Sequence, residues 1–332
     1  MRIRIEITKY VKGVTSMKTK KHLVYDPQYQ SDLTVLGSTV QFAPDRGARV
    51  LSELAKEFSP NRELPYRKPQ MLTLKQMRRT HDETYLDSLK LPATWAEIFG
   101  VSTTLPKNGH TTKVLRKLLG EYRLKSGGTL LAARLAMANG LAANLGAGYH
   151  HAHRDRGDGY CVINDIAMTI HNLRFEQVAD KVMVIDLDFH QGNGVSTIFE
   201  NDPKVFTLDF HALEAWPMKK QKCSLPVAIR KHEGPLYNAK LKAALDQALA
   251  SFQPDLVIFV HGADAYEHGL KNRGDGFSLT LAQMNERDRM VIDCFADRHI
   301  PLALCFAGGY GDRAWEAHHQ AVRHLLLRAG AI

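Results

Sequence analysis

The sequence predicts an α/β protein with a parallel sheet covered by helices on both faces. Three observations carry this. Residues 181–187, 255–261 and 301–306 are continuous Val/Ile/Leu-rich runs of strand length, the composition of strands buried on both faces. Segments with helical spacing separate such runs, the alternation that builds parallel sheets. Polar residues follow each run, and open parallel sheets gather their ligand chemistry just beyond the carboxyl ends of strands.

Taken in order, residues 22–25 read as a short strand. Residues 45–58 place Val50, Leu51, Leu54 and Ala55 on one helical face, and 80–89 carry Tyr85, Leu86 and Leu89 in helical spacing. Residues 90–109 contain Pro and Trp and read as irregular. Residues 128–139 form a small-residue helix stopped by Gly140, a C-cap glycine, and 141–145 a strand. After the strand at 181–187 come another at 205–210, a helix at 239–252 closed by Pro254, and the strand at 255–261. A helix at 279–295 turns Leu281, Met284, Val291 and Phe295 inward. The strand at 301–306 follows, and 313–328 is the last helix.

Composition narrows the function classes. A chain of 332 residues, 44% hydrophobic and 24% charged, has the profile of a soluble globular protein with ample apolar surface for a core. Its longest apolar runs are far below the ~18–20 residues of a membrane span. The net charge of +9 is concentrated: residues 1–21 hold seven Lys/Arg against Glu6 alone, which leaves +3 for the rest. The expected organisation is a basic N-terminal extension over 1–21 and a single domain over 22–332. The extension lacks the apolar region and cleavage site of a secretory signal. Its residues 2–8 alternate charged and β-branched types as an edge strand would, and Met17 offers an alternative start. With the positive charge confined there, no direct nucleic-acid binding is expected. Cys161, Cys223, Cys294 and Cys305 are widely spaced without a CxxC pair, which fits reduced thiols and a cytoplasmic location.

The polar tails read Gly148-Tyr149-His150-His151, Asp186-Leu187-Asp188-Phe189-His190, His261-Gly262-Ala263-Asp264 and Ala307-Gly308-Gly309-Tyr310. Extended residues at i and i+2 point the same way. Asp188 and His190 can therefore grip one metal, with Gly192 and Gly194 turning the backbone after them and Asp264 as third ligand from a neighbouring strand. An Asp/His/Asp set suits Zn²⁺, with Fe²⁺ as the alternative. A lone DxH is more often a strand cap than a ligand pair; the accompanying tails give this one its weight. Two carboxylates neutralise most of the metal's charge, so a protein base is needed, and His150-His151 supplies candidates. With 16 His in the chain, chance alone gives about 0.8 adjacent pairs. The second pair, His318-His319, lies within the last helix and reads as partly exposed surface. Tyr310, after two glycines, is placed to donate to a developing oxyanion.

Together these segments resemble the histone deacetylase superfamily, which includes acetylpolyamine amidohydrolases and acetoin-utilisation proteins. Gly148-Tyr149-His150-His151-Ala152 is similar to the family's tandem-histidine motif. Gly159-Tyr160-Cys161-Val162-Ile163-Asn164-Asp165 is similar to its G-[FY]-C-x-x-N-D segment. Asp186-Leu187-Asp188-Phe189-His190-Gln191-Gly192-Asn193-Gly194 looks like its D-x-D-x-H-x-G-[DN]-G signature. Gly262-Ala263-Asp264 matches the third-ligand strand and Gly308-Gly309-Tyr310 the catalytic-tyrosine turn. Val24-Tyr25-Asp26-Pro27 and His81…Tyr85-Leu86 fit the amino-terminal pattern. His153-Arg154-Asp155-Arg156-Gly157, Gln191 and Asn193 resemble a class IV-like branch.

The resemblance implies an arginase–deacetylase fold, three α/β/α layers around a mostly parallel sheet of about eight strands, with 22–332 as the deacetylase domain. It implies Zn²⁺ on Asp188, His190 and Asp264, and an acyl-lysine carbonyl polarised by the metal and Tyr310. His151 would act as base and then acid, while His150, paired with Asp186, orients the water. Asn193 takes the place of the Asp that partners this histidine in some classes, which would leave His151 less basic. Tyr160 and Trp216 would wall the acyl-lysine tunnel with Gly159 lining its mouth, and Gly308 would contact substrate; Trp216 is placed only by its position after His211, with a core position as the alternative. A structural K⁺ would rest on backbone carbonyls of Asp186, Asp188, His190, Asp209 and Phe210.

Two segments depart from the family pattern. Residues 266–276 are longer than the usual stretch after the third ligand and lack its G-D-P/R run. Residues 217–224 are basic where the family often has P-G-[DT]. Both fall at the expected tunnel rim. Lys219, Lys220 and Lys222 read as solvated loop charge, with attraction of an acidic partner as the alternative. The expected substrate is an acyl-lysine protein or a small acylated amine such as an acetylpolyamine; no oligomeric state is legible. A two-Mn²⁺ ureohydrolase is disfavoured by Asn193. A catalytically silent binding module is disfavoured by the presence together of Asp188, His190, Asp264, His151 and Tyr310.

Overall fold

A computed structural model describes residues 21–36, 43–59, 64–101, 109–269 and 276–332. The strand expected at 2–8, the extension up to residue 20 and residues 270–275 of the longer rim segment lie outside the described residues. Eight strands form one sheet: β1 Leu23–Val24, β2 Tyr66–Arg67, β3 Leu141–Asn144, β4 Val182–Asp186, β5 Val205–Ala212, β6 Leu225–Ile229, β7 Leu256–His261 and β8 Leu302–Phe306. Their order is β2-β1-β3-β8-β7-β4-β5-β6, and every neighbouring pair is parallel.

Successive strand residues face opposite sides of the sheet. Met183 and Ile185 join one core with Val257, Phe259, Leu302 and Leu304. Val182 and Val184 join the other with Leu256, Ile258 and Ala303. Both faces are apolar, hence the unbroken hydrophobic runs. The first core is covered by α1 Arg46–Phe58, α8 Tyr237–Ser251, α9 Leu281–Asp297 and α10 Ala314–Arg328. The second is covered by α2 Leu74–Met77, α3 Glu83–Ser88, α4 Pro92–Phe99, α5 Gly109–Asn139, α6 Asp165–Phe175 and α7 Asn193–Phe199. No helix among the described residues is long and apolar enough to cross a membrane, and all four cysteines are free.

Three expectations are corrected. Residues 90–109 are not irregular throughout. Pro92 opens α4, where its missing N–H is harmless, and Gly100 ends the helix with φ 60°. Trp95 is wholly buried there and donates from Nε1 to Leu89 O at 2.8 Å. The helix expected at 128–139 begins at Gly109 and runs 31 residues. Its Gly127-Gly128 pair sits where side chains do not fit: a Cβ on Gly128 would stand 2.1 Å from the Tyr29 hydroxyl. His318 is not at the surface. It is fully buried, stacked on Phe306 with ring centroids 3.9 Å apart. The unpredicted β6 contains Pro226 but lies at the sheet edge, where a missing N–H is tolerated.

The strand order places the chemistry. β3, β8, β7 and β4 are consecutive across the sheet, so the four polar tails emerge side by side. From β4 the chain continues to β5 on one side, and from β7 to β8 on the other. That divergence opens a crevice at the β4–β7 carboxyl ends.

Candidate metal centre and catalytic groups

Asp188 and His190 leave the end of β4, and Asp264 follows β7. The ligand atoms of these three residues lie within 4.8 Å of one another. His190 Nδ1 is 2.9 Å from Asp264 Oδ2 and 3.3 Å from Asp188 Oδ1. Backbone donors fix both carboxylates: Gly308 N–H reaches Asp188 Oδ2 at 2.7 Å and Phe189 N–H reaches Asp264 Oδ1 at 3.0 Å. Both acids are buried. Burial, and then the charge of Asp188, pushes the Asp264 carboxyl above its ordinary range. Burial alone would depress His190, but its bonds to Asp188 and Asp264 hold it at about 9. Two carboxylates and one imidazole, crowded together away from water, could hold a divalent cation, which would relieve the repulsion between the acids.

A group unforeseen in the sequence lies beneath this centre. Arg287 of α9 is fully buried, and its Nη1 donates to Leu187 O and Gly262 O, each at 3.1 Å. Those carbonyls belong to the β4 and β7 tails, one residue before Asp188 and two before Asp264. Arg287 Nε donates to Asp288 Oδ1 at 2.8 Å. Asp288 Oδ2 bonds His261 Nε2 at 2.7 Å, and His261 Nδ1 is 2.9 Å from His318 Nδ1. The available signal was a charged pair standing on the inward stripe between Met284 and Val291.

His150 and His151 end the tail of β3. His150 Nδ1 is 2.7 Å from Asp186 Oδ2, and its Nε2 is 3.7 Å from Asp188 Oδ1. Burial opposes the imidazolium, but Asp186 and Asp188 overturn that and hold His150 at about 10. His151 Nδ1 meets Asn193 Oδ1 at 2.8 Å, so Nδ1 carries the proton and Nε2 is left as an acceptor. Burial, and then the imidazoles of His150 and His190, press His151 well below its ordinary value.

The segment after the histidines is anchored by the Asn164-Asp165 end of its motif. Asn164 N–H donates to His81 Nε2 at 3.0 Å, and the Asn164 amide donates to Ala152 O at 2.8 Å. The Asp165 carboxylate accepts from Gly148 N–H, Tyr149 N–H and Thr129 Oγ1. Gly192 centres the sharp turn expected from sequence, with Asn193 N–H donating back to Gln191 O at 2.8 Å, whereas Gly194 already lies within α7; the turn alone would accept any residue. Gly192 has φ −71°; a Cβ there would meet Asp186 Oδ2 at 2.4 Å, and one on Gly194 would meet Ala152 O at 2.3 Å. Close packing against the histidine segment is what demands them.

Gly159, Tyr160, Gly308 and Tyr310 line one cavity with His150, His151 and Asp188. Gly159 has φ 51°, and a Cβ on it would stand 2.6 Å from both the His151 and Trp216 rings. Trp216 is 39% exposed and packs edge-on to His151 at 4.7 Å, so it is not a core residue. Lys220 is not a solvated charge. It donates to Ala215 O at 2.6 Å and Pro217 O at 2.9 Å, bracing the Trp216 segment. Burial, and then Asp264 and Asp188, push the Tyr310 phenol far above its ordinary range, so it stays protonated. Asp209 pairs in register with Asp186 across β4 and β5.

Residues 40–326 match the histone deacetylase domain, and the chain belongs to that family. It is 36% identical over 240 residues to "Histone deacetylase 2" of Arabidopsis thaliana, covering 69% of this chain and 59% of that protein. It is 33% identical over 206 residues to an uncharacterized protein of Picosynechococcus, covering 62% of this chain and 67% of the other. It is 30% identical over 219 residues to the acetoin utilization protein AcuC of Bacillus subtilis, covering 60% and 55%. The matches thus span less than two thirds of the plant and Bacillus relatives. The crystal structure of the HDA15 HD domain superposes with a TM-score of 0.69 at 19% identity over 92% of this chain and 91% of that one. The fold is the arginase–deacetylase fold.

Proposed function

We propose that this protein is a metal-dependent amidohydrolase that removes acyl groups from lysine side chains, with 22–332 as its deacetylase domain. One arrangement carries the reading: Asp188, His190 and Asp264 converge within 4.8 Å beside His151, whose Nε2 is left as an acceptor by the bond to Asn193. Zn²⁺, or Fe²⁺, held by those three residues would supply Lewis acidity toward the amide carbonyl and the attacking water.

The remaining steps belong to the chain. His151 takes a proton from the water attacking the acyl carbon and delivers it to the lysine nitrogen as the C–N bond breaks. His150, charged and paired with Asp186, orients that water and offsets negative charge. Tyr310 donates to the oxyanion. Gly159 leaves a narrow slot beside Trp216 and Tyr160, suited to the methylene stem of a lysine. A K⁺ on the carbonyls of Asp186, Asp188, His190, Asp209 and Phe210 would brace β4 against β5. The free thiols suit a reducing, cytoplasmic setting.

The test is a panel of acetyl-lysine peptides, longer acyl-lysine peptides and acetylpolyamines, on metal-stripped and zinc-restored protein. Turnover is expected to vanish on stripping and return with zinc, with peptides preferred. Metal-loaded protein that turns over none of them would overturn the reading in favour of a binding module.

A further inference from the structure

The cavity does not stop at the reacting groups. It continues past Gly148 and Tyr149 to Tyr29, Ser31, Arg46 and Lys125, side chains with no part in the mechanism above. Arg46 opens α1. Its Nη1 is buried and has no hydrogen-bond partner among the described residues, although the guanidinium lies 5.8 Å from the Phe306 ring centre. A Cβ on Gly309 would stand 3.2 Å from that nitrogen, and one on the adjacent Gly308 would stand 2.5 Å from Asp264 Oδ2. The guanidinium therefore begins about one residue beyond the metal carboxylates. Lys125, on α5, donates to Ser31 Oγ at 2.8 Å.

Neither cation has a carboxylate in salt-bridge reach among the described residues. Glu121, one helical turn before Lys125, approaches Lys117 instead at 3.7 Å. Burial, and then Arg46, lowers the Lys125 ammonium to about 7, with Glu121 opposing. The N-terminus of α1 adds partial positive charge to the same wall, and Asp45 makes no side-chain cap to it. Two half-buried cations beside a helix N-terminus, one with a buried unpaired nitrogen, form an unfavourable arrangement that a visiting anion would relieve. An acetyl group ends in a methyl and offers nothing to such a wall.

We propose that the preferred acyl group carries a second carboxylate, as in a malonyl, succinyl or glutaryl chain, held at its far end by Arg46 and Lys125. This rests on the deacylase reading and names its substrate class. The reaction is the same hydrolysis: the water oxygen bonds to the acyl carbon, the C–N bond breaks, the nitrogen takes the proton and the product leaves as a dicarboxylate.

The experiment compares kcat/KM for acetyl, butyryl, malonyl, succinyl, glutaryl and the neutral succinamyl group on one lysine peptide, using zinc-loaded protein. The best dicarboxylic peptide is expected to exceed acetyl and butyryl by at least ~30-fold, with succinamyl no better than butyryl. Lys125→Met should cut the succinyl-to-butyryl ratio by about 30-fold, the size of one charge-assisted bond. Calorimetry with free succinate and butyrate reads the same preference without turnover. Monoacyl turnover with no dicarboxylic preference overturns this inference and leaves the deacylase reading standing. A preference that survives Lys125→Met overturns the assignment to this cation pair. No turnover on any peptide overturns the deacylase reading and this inference with it.

Discussion

Replacing Gly308 with alanine tests the metal centre through geometry. Gly308 is not among the positive-φ glycines, so its backbone accepts alanine. The new methyl would stand 2.5 Å from Asp264 Oδ2 and 2.6 Å from Asp188 Oδ2. Ordinary contact begins near 3.4 Å, so the carboxylates or the turn must move apart by about 0.9 Å. Metal sites tolerate deviations of only about 0.2 Å. Zinc affinity, measured by competition with a chromogenic chelator, should fall by about 100-fold, and deacylation with it, while circular dichroism shows the fold retained. Gly311→Ala is the control. Its φ of 81° penalises alanine by ~1 kcal/mol, yet the nearest atom is His268 O at 3.8 Å; it should lose stability and keep zinc. G308A protein that binds one zinc per chain with undiminished affinity would refute the ligand assignment.

Other perturbations separate the remaining groups. N193D should raise the His151 pKa, because a carboxylate favours the imidazolium; NMR titration reads it, and an unchanged value rules out Asn193 as the tuning partner. R287M leaves the buried Asp288 without its guanidinium, with His261 as its remaining partner, and releases Leu187 O and Gly262 O, so denaturant unfolding should show a loss of ~3–5 kcal/mol; a loss below ~1 kcal/mol would show that the network is not structural. Burial holds His81 and His171 at about 4, below the ordinary 6.5. Each therefore takes up a proton on unfolding between those values, and contributes stability that is full above 6.5 and lost as pH falls toward 4. H81Q keeps an acceptor for the Asn164 N–H and removes one titration. Its unfolding free energy should fall less steeply across that window, by up to about 1.4 kcal/mol per pH unit; an unaltered slope counts against the assignment.

The tails that bear the site were legible because a strand buried on both faces is unbroken apolar sequence, and whatever follows it stands out. Asp188, His190, Asp264 and Tyr310 all lie at such an edge. Nothing in residues 141–145 or 301–306 alone announces that β3, β8, β7 and β4 lie side by side. Helix α4 escaped notice because Pro92 and Gly100, its two ends, read as breakers. Helix α5 was cut short by Gly127-Gly128, whose bareness answers to Gln70 and Tyr29 from distant sequence. His318 looked exposed because its partners, His261 and Phe306, arrive from other strands. Arg46 and Lys125 are likewise ordinary helical cations until a cavity is found beside them.

Arg287 carries a consequence for how an ion arrives. By gripping Leu187 O and Gly262 O together, it stitches the two donor-bearing segments to each other from below. The nest is therefore pre-assembled. Loading should proceed without refolding, raising the melting temperature while leaving the far-ultraviolet spectrum alone, unlike small zinc modules that take shape only around their ion.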